Sequence, residues 1–242
     1  LFKYDGENKL VPDLAESIEV DQAETKYTVK LKDNLYWHDG QPLTADDVAF
    51  TFNTIKNPDT KSYLLSSWQG VTVEAKDKKT VVFTLKDTLS SFPHSLTTGL
   101  IPEHVISKIN PEQLRSNDFN SIKPIGAGPF KFDVVQVEKD KDEGNNEIKK
   151  QQVGLVANDG YNGGKPKLNK YIIKTYKDQP ELLEAYREKK VNSISGFFVP
   201  PVDIENDAKT VEFSVPLTGE VMVFFKTSEG VLSDSNVRKA LV

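Results

Sequence analysis

The sequence predicts an α+β, or mixed α/β, fold, because strand-like and helix-like segments alternate along its length. Residues 26–31 carry apolar side chains at every second position, which is the period of a strand with one buried face. A capped amphipathic helix follows at 44–56, and two more short strands are predicted at 71–75 and 80–86. Both kinds of element are therefore expected to contribute to the core.

The helix at 44–56 carries the clearest local signals. Thr44 is a typical N-cap residue, and Asp47 stands three positions later, which is the spacing of a capping box. Leu43 precedes the cap and can pack on Val48 as a hydrophobic staple. The residues that share one helical face are Ala45, Val48, Phe52 and Ile55. Asn57 and Pro58 then end the helix.

The strands at 71–75 and 80–86 are joined by the polar turn 76–79. In the second strand both sets of alternating residues are apolar or β-branched, so we expect it to be buried on both faces. Short helical segments are expected to begin at Pro102 and Pro111, because proline is tolerated in the first turn of a helix.

A Gly-Ala-Gly-Pro turn at 126–129 marks a predicted domain boundary just before it. The chain then alternates as a strand from Phe130 and returns as a second strand at 153–157. The charged segment 139–150 between them is expected to be an exposed hairpin tip.

After residue 160 the pattern predicts a loop at 161–166, a helix that begins at Pro180 and a capped helix start at 235. The strands predicted in this part are 171–176, 191–198, 211–215 and 220–226. The chain opens on Leu1, with no signal peptide, and stops one turn into an amphipathic helix. We therefore expect it to be a piece of a longer protein.

Composition and charge exclude several classes of function. The 242 residues carry a net charge of −5, and only three of the 31 basic residues are arginines. Nucleic-acid binding usually needs a concentrated basic surface, so no nucleic-acid partner is expected. The absence of cysteine rules out disulfides, thiolate catalysis and cysteine-based zinc sites. No stretch reaches the roughly 18 apolar residues that a membrane span requires.

The motifs of catalysis and of metal or nucleotide binding are weak. The three histidines, His38, His94 and His104, make no i, i+4 pair and no His-x-His spacing. The Gly-Ala-Gly turn lacks the third glycine of a dinucleotide motif. Asp46 and Asp47 adjoin, but adjacent helical residues point about 100° apart. The sequence therefore predicts no catalytic residue, no metal site, no cofactor and no enzymatic activity.

The segment 35–48 reads Leu-Tyr-Trp-His-Asp-Gly-Gln-Pro-Leu-Thr-Ala-Asp-Asp-Val. It resembles the signature of the extracellular solute-binding proteins of family 5, the peptide/nickel-binding proteins of ABC importers. Further segments are similar to family motifs in the family's order, at 10–17, 101–105, 126–130, 161–168 and 234–241. The chain departs from the family pattern at Asn162, where Trp is usual, at 189–192, and in the length of the 139–150 hairpin.

The resemblance implies a partial fold of the class II periplasmic binding proteins, in which two lobes close over a ligand in the cleft between them. On that template residues 1–124 are an extra α+β subdomain of the first lobe. Residues 125–232 are part of the main mixed sheet of that lobe. Residues 233–242 are the truncated start of the second lobe, which is missing.

The resemblance also implies a function, that of the substrate-binding component of an ABC importer. Such a component, expected here as a monomer, captures oligopeptides or dipeptides outside the membrane and delivers them to the transmembrane subunits of the permease. The alternatives are a nickel or metal-chelate-binding protein of the same family and a peptide-pheromone receptor. The implied location is extracytoplasmic, in the periplasm or as a cell-surface lipoprotein whose signal and anchor lie outside this chain.

Three segments are expected to face the cleft on this template. They are an aromatic stretch at 63–68, the loop before Pro102, and the start of the strand at 220. The candidate ligand-binding residues are Tyr63, Trp68, Thr97, Thr98, Glu220 and Met222. The other cleft contacts are expected mostly from the missing lobe.

Overall fold

A computed structural model of the chain describes residues 1–141, 147–197, 199, 201–212, 227 and 230–239. By its internal contacts the chain divides into two units, Leu1–Phe197 and Phe198–Val242. The boundary predicted before residue 125 lies inside the first unit, and it remains a prediction about the lobes of a complete protein.

Two antiparallel sheets form in the N-terminal part of the first unit. β1 (Phe2–Tyr4) and β2 (Leu10–Pro12) make a two-stranded sheet. The other sheet has four strands in the order β3-β4-β6-β5, namely β3 (Ala15–Val20), β4 (Lys26–Leu31), β5 (Val71–Ala75) and β6 (Thr80–Leu85). Between β4 and β5 in the chain lies α1 (Ala45–Lys56), which contacts β5 and β6.

The predicted alternation of β4 is confirmed. Its buried residues are Tyr27, Val29 and Leu31, each at most 3% exposed. In β6, which lies between β4 and β5, Val81 and Phe83 are buried on one face and Val82 on the other. Thr84 is exposed, so burial on both faces is confirmed only in part of the strand.

The predicted start and end of α1 are also confirmed. Thr44 has the extended backbone of an N-cap residue, and its N–H donates to Oδ2 of Asp47 at 2.9 Å. Val48 and Phe52 are fully buried, so the predicted face packs into the core. Asn57 is the C-cap, and Pro58 begins a separate 3-10 turn at Pro58–Thr60.

Three short helices and two 3-10 segments complete this part of the fold. The helices are α2 (Leu65–Trp68), α3 (Phe92–Ser95) and α4 (Glu103–Ile106). The 3-10 segments are Pro111–Ser116 and Asp118–Asn120. Both predicted helix starts are confirmed, since Pro102 caps α4 and Pro111 opens the first 3-10 segment.

A three-stranded antiparallel sheet follows, with strands β7 (Phe130–Lys141), β8 (Glu147–Ala157) and β9 (Lys170–Lys174). The prediction of a hairpin is confirmed, but its strands extend further than expected, because residues 139–141 pair with 147–149. α5 (Gln179–Arg187) comes next, and its N-cap Asp178 accepts a hydrogen bond from Glu181 N at 3.0 Å. Pro180 lies in its first turn, as predicted.

The prediction of a strand at 191–198 is wrong for residues 191–197, where the structure has no strand; residue 198 lies outside the described residues. Gly196 has a φ of +92°, which interrupts an extended backbone. Of the strands predicted at 211–215 and 220–226, only residues 211 and 212 are described, and they are not in a strand.

The second unit contains two short helices and a 3-10 turn among its described residues. These are α6 (Val202–Glu205), the turn Val231–Ser233 and α7 (Ser235–Lys239). The helix start predicted near residue 235 is confirmed, and Asp234 Oδ1 accepts a hydrogen bond from Asn236 N at 2.8 Å.

A polar contact around Asp13 joins the N-terminal strands to the loop after β8. Oδ1 of Asp13 lies 3.2 Å from Nζ of Lys3 and accepts a hydrogen bond from the Tyr161 hydroxyl at 3.3 Å. The side-chain amide of Asn162 donates to the backbone carbonyl of Asp13 at 3.1 Å. These contacts connect residues almost 150 positions apart in the chain, and they help to explain why the first unit extends across the predicted boundary.

Candidate ligand-binding surface

An aromatic cluster lies beneath two of the predicted ligand-binding segments. The ring of Trp68, in α2, has its centroid 3.9 Å from that of Phe52 in α1 and 5.7 Å from that of Phe92 in α3. Phe83 of β6 packs edge-on against Phe52 at 5.4 Å and against Phe92 at 5.7 Å. Aromatic pairs with centroids about 4.5–7 Å apart, as in all of these pairs except Trp68–Phe52, attract one another beyond the effect of burial alone. The cluster therefore anchors α2 and α3 on the same part of the core.

Trp68 is a core residue in this structure. Its side chain is 1% exposed, so in this conformation it offers no surface to a ligand. Sequence periodicity could not separate the two roles, because large aromatic side chains serve both cores and binding sites. We therefore propose that Trp68 holds α2 in place, and that it does not contact the ligand directly.

Tyr63, by contrast, is 91% exposed. It lies between the 3-10 turn Pro58–Thr60 and α2. Lys61 has a φ of +51° there and caps the 3-10 segment, and Ser62 accepts hydrogen bonds from the N–H groups of Leu64 and Leu65 at 3.3 and 3.2 Å. The backbone on both sides of Tyr63 is thus fixed while its ring projects from the surface.

Thr97 and Thr98 lie in the turn that follows α3. Their hydroxyls donate to the backbone carbonyls of His94 and Ser95, each at 2.8 Å. Each hydroxyl has one proton, which these bonds use, so the oxygen lone pairs remain available as acceptors. The same turn is tied to β1, because Phe2 N donates to Leu96 O at 3.2 Å. This surface can therefore accept N–H groups from a ligand.

The structure thus places four of the six candidates on segments that share one aromatic anchor. Tyr63 and Trp68 adjoin or belong to α2, and Thr97 and Thr98 follow α3. Glu220 and Met222 lie outside the described residues. What the sequence alone did not reveal is the contact between Trp68 and Phe92 that connects the two segments.

The adjacent carboxylates Asp46 and Asp47 have structural partners. Asp47 is buried, and its Oδ1 accepts a hydrogen bond from Glu103 N at 2.9 Å in addition to the bond from Thr44. Asp46 is more exposed and pairs with Nζ of Lys78 at 2.5 Å. The two side chains therefore hold different elements and do not converge on one point.

His94 and His104 have separate partners. Nδ1 of His94 lies 2.7 Å from the hydroxyl of Tyr4, and Nε2 of His104 lies 2.7 Å from Oδ2 of Asp39. Burial acts to raise the pKa of Asp39, but hydrogen bonds from His104 and from the Gln41 N–H outweigh it and lower that pKa. Within the described residues no group of three or more His, Cys, Asp or Glu side chains could hold a metal ion.

A polar cavity of about 420 Å³ lies between the three-stranded sheet and α5. Amide side chains of Gln136 and Gln152 line the sheet side, and Glu184 and Glu188 line the helix side. No local pattern in the sequence predicts this cavity, because its walls come from segments about 50 residues apart whose packing depends on the register of β7 and β8. In the described part of the chain, no helix has the length and apolar character needed to cross a membrane.

Comparison with known proteins connects this fold to one family. The family model described as bacterial extracellular solute-binding proteins, family 5 Middle, matches residues 9–242. The oligopeptide-binding protein AppA of Bacillus subtilis is 32% identical over 247 residues, which cover 100% of this chain and 43% of AppA. An ABC transporter peptide-binding protein of Brucella ovis is 37% identical over 194 residues, which cover 79% of this chain and 34% of that protein. The chain thus spans less than half the length of these relatives.

Solved structures confirm the predicted mixed fold of the periplasmic binding-protein class. The structure of Bacillus subtilis AppA in complex with a nonapeptide matches with a TM-score of 0.69 and 32% identity, over 79% of this chain and 36% of that one. The structure of NikZ from Campylobacter jejuni in complex with Ni(L-His) matches with a TM-score of 0.68 and 29% identity, over the same shares. Together with the family match over residues 9–242, these similarities show that the chain belongs to the bacterial extracellular solute-binding proteins of family 5.

Proposed function

We propose that this chain is part of the substrate-binding component of an ABC importer, which captures oligopeptides or dipeptides outside the cytoplasmic membrane and delivers them to the permease. The observation that carries the proposal is the similarity to the oligopeptide-binding protein AppA over the whole chain. The related structure of AppA contains a nonapeptide, which makes peptides the first ligand class to test.

The surface around Tyr63 and the turn after α3 has the chemistry that a peptide requires. An extended peptide presents backbone N–H donors, and the oxygens of Thr97 and Thr98 can accept them. The exposed ring of Tyr63 offers an apolar face with a polar end, which suits side chains of many kinds. Backbone recognition combined with such contacts gives the tolerance of ligand sequence that a nutrient carrier needs.

Replacing Tyr63 with alanine is expected to weaken peptide binding by the complete protein about 5- to 30-fold, the loss typical of an aromatic contact residue. Stability should change by less than about 0.5 kcal/mol, because the ring is almost fully exposed. Calorimetric titration with a nonapeptide and thermal unfolding measure the two effects.

The matched control is Tyr171→Ala, which removes the same side chain from β9, where Tyr171 is 46% exposed. This variant should keep the affinity of the unchanged protein. Equal affinity in the Tyr63 variant and the unchanged protein would remove Tyr63 from the proposed site. No heat with any member of a peptide library would contradict the peptide function itself.

A metal chelate is the second candidate ligand, and the structural similarity to NikZ with Ni(L-His) favours it. The chelate would be cargo, held through its organic ligand. Titration of the complete protein with a nickel–histidine complex separates the candidates. Binding of the complex without binding of peptides would establish the alternative.

The family consists of solute-binding proteins, and we infer that this member likewise has no enzymatic activity and acts as a monomer. Its extracytoplasmic location, in the periplasm or on a lipid anchor, and its contact with permease subunits belong to the same proposal. Nutrient uptake and pheromone sensing differ in phenotype, because only the first should support growth on peptides as the sole nitrogen source.

A further inference from the structure

His38 connects two loops that are far apart in the sequence. Its backbone N–H donates to Gly126 O at 2.8 Å, and its backbone carbonyl accepts from Nζ of Lys131 at 3.2 Å. Both ring nitrogens also form hydrogen bonds. Nδ1 lies 3.2 Å from Gly126 N, and Nε2 lies 3.0 Å from Gly128 O. Three of these bonds fasten the turn at 37–40 to the Gly126–Gly128 loop, and the fourth fastens it to Lys131 in β7.

The partners of the ring define its protonation state. A backbone N–H can only donate, so Nδ1 must accept the bond from Gly126. A backbone carbonyl can only accept, so Nε2 must carry the proton that is donated to Gly128. The neutral imidazole with its proton on Nε2 satisfies both bonds. A second proton on Nδ1 would face the N–H of Gly126, donor against donor.

The close approach leaves little room for a different arrangement. A Cβ atom added at Gly126 would lie 3.3 Å from Cε1 of His38, which is a tight contact. The charged groups that face the ring are Lys131 from β7 and Asp39 from its own turn, and Asp39 also binds His104 from α4. Burial chiefly lowers the pKa of His38, and Lys131 adds to this, while the bond to Gly128 and the charge of Asp39 oppose it.

We propose that His38 is a pH-sensitive latch, which in its neutral form fastens the Gly126–Gly128 loop to the 37–40 turn and on protonation loses the bond from the Gly126 amide, so that the loop is held less firmly. The latch joins the part of the chain that carries Tyr63, Thr97 and Thr98 to the sheet of β7, β8 and β9. The contact through Asp13 and Tyr161 contains no histidine and is expected to hold while the latch opens. The proposal does not depend on which ligand the protein carries.

The direction of the pH effect follows from the lowered pKa. The latched form binds the proton less readily than the released form, in which the ring regains its ordinary pKa of 6.5. The stabilisation that the neutral ring gives to the closed latch is therefore fully present above that value. As the pH falls below it, the ratio of closed to open latch decreases by at most about tenfold per pH unit, because one proton is involved.

Hydrogen exchange of the Gly126 amide tests this in the intact chain, between about pH 7.5 and about pH 5. After correction for the intrinsic exchange rate, protection of Gly126 relative to Val29 in β4 should fall below the ordinary histidine pKa of 6.5. The Cε1 proton of His38 should titrate over the same range in NMR spectra. His38→Gln should abolish the pH dependence, whereas His94→Gln and His104→Gln should keep it.

Constant relative protection of Gly126 across this range in the unchanged protein would overturn the proposal. So would a pH dependence that persists in His38→Gln or disappears in His104→Gln, since either would assign the effect to another group. If His38→Gln does not fold, the unchanged protein decides alone: titration of the His38 ring without any change at Gly126 contradicts the latch.

Discussion

Replacing Trp68 with alanine is expected to lower the free energy of unfolding by about 3–5 kcal/mol, the range for removal of a large buried aromatic side chain. The ring is 1% exposed and contacts three other aromatic residues that come from α1, β6 and α3. Its loss leaves a cavity that these rigid neighbours cannot fill completely. Urea denaturation of the intact chain measures the effect.

Two further variants make the result specific. Trp68→Phe keeps an aromatic ring in the cluster and should cost clearly less than the alanine variant. Tyr63→Ala, only five positions away, should leave stability almost unchanged, because that ring is 91% exposed. A loss below about 1 kcal/mol for Trp68→Ala would contradict the described packing. At temperatures where Trp68→Ala remains folded, we also expect weaker peptide binding, because α2 loses its anchor.

Replacing Asp47 with alanine is expected to cost about 2–4 kcal/mol, more than an ordinary helix cap. Loss of a cap alone costs about 0.5–2 kcal/mol. Asp47 also accepts the part-buried N–H of Glu103 at the start of α4, and loss of that partner adds up to about 1–3 kcal/mol. Thermal or urea denaturation of the variant measures the sum.

The neighbouring Asp46→Ala is the matched control for this prediction. Asp46 has a side chain that is 42% exposed, and it pairs with Lys78, which is 79% exposed. Solvent-exposed ion pairs contribute at most about 1 kcal/mol. Equal losses for the two variants would show that the bonds from Asp47 to Thr44 and Glu103 do not carry the stability assigned to them.

Much of the fold in the N-terminal part could be predicted, because its signals are local. The start of α1 at Thr44 and Asp47 and its end before Pro58 depend on residues in or next to that helix. The alternation of buried residues in β4 depends on that strand alone. The strand predicted at 191–198 shows the limit of such signals. Alternating apolar residues favour a strand, but the structure has none in the described residues there, and Gly196 adopts a positive φ.

The candidate site was less accessible from the sequence than the fold. Trp68 and Tyr63 are both aromatic and close in sequence, yet one is buried and the other exposed. Their difference depends on packing with Phe52, Phe83 and Phe92, which no local pattern encodes. The sequence likewise could not predict the contacts of His38 with Gly126 and of Asp13 with Tyr161, because each joins residues about 90 or more positions apart.

The segment 35–48, which carries the family resemblance, has a structural role of its own. Its histidine binds the Gly126–Gly128 loop, and its Asp39 binds α4 through His104. Its Asp47 accepts the backbone N–H groups at the starts of α1 and α4. None of these contacts requires a ligand. The segment thus connects parts of the scaffold, and the ligand surface is expected elsewhere, around Tyr63 and Thr97.

Amide hydrogen exchange of the complete protein, with and without a saturating nonapeptide, shows whether peptide binds at the turns that carry Tyr63 and Thr97. We expect the peptide to slow exchange at residues 61–68 and 96–99, the turns that carry Tyr63 and Thr97, while exchange in the segments that line the α5 cavity stays the same. Slower exchange confined to the α5 cavity, or no change in either turn when the peptide is bound, would contradict it.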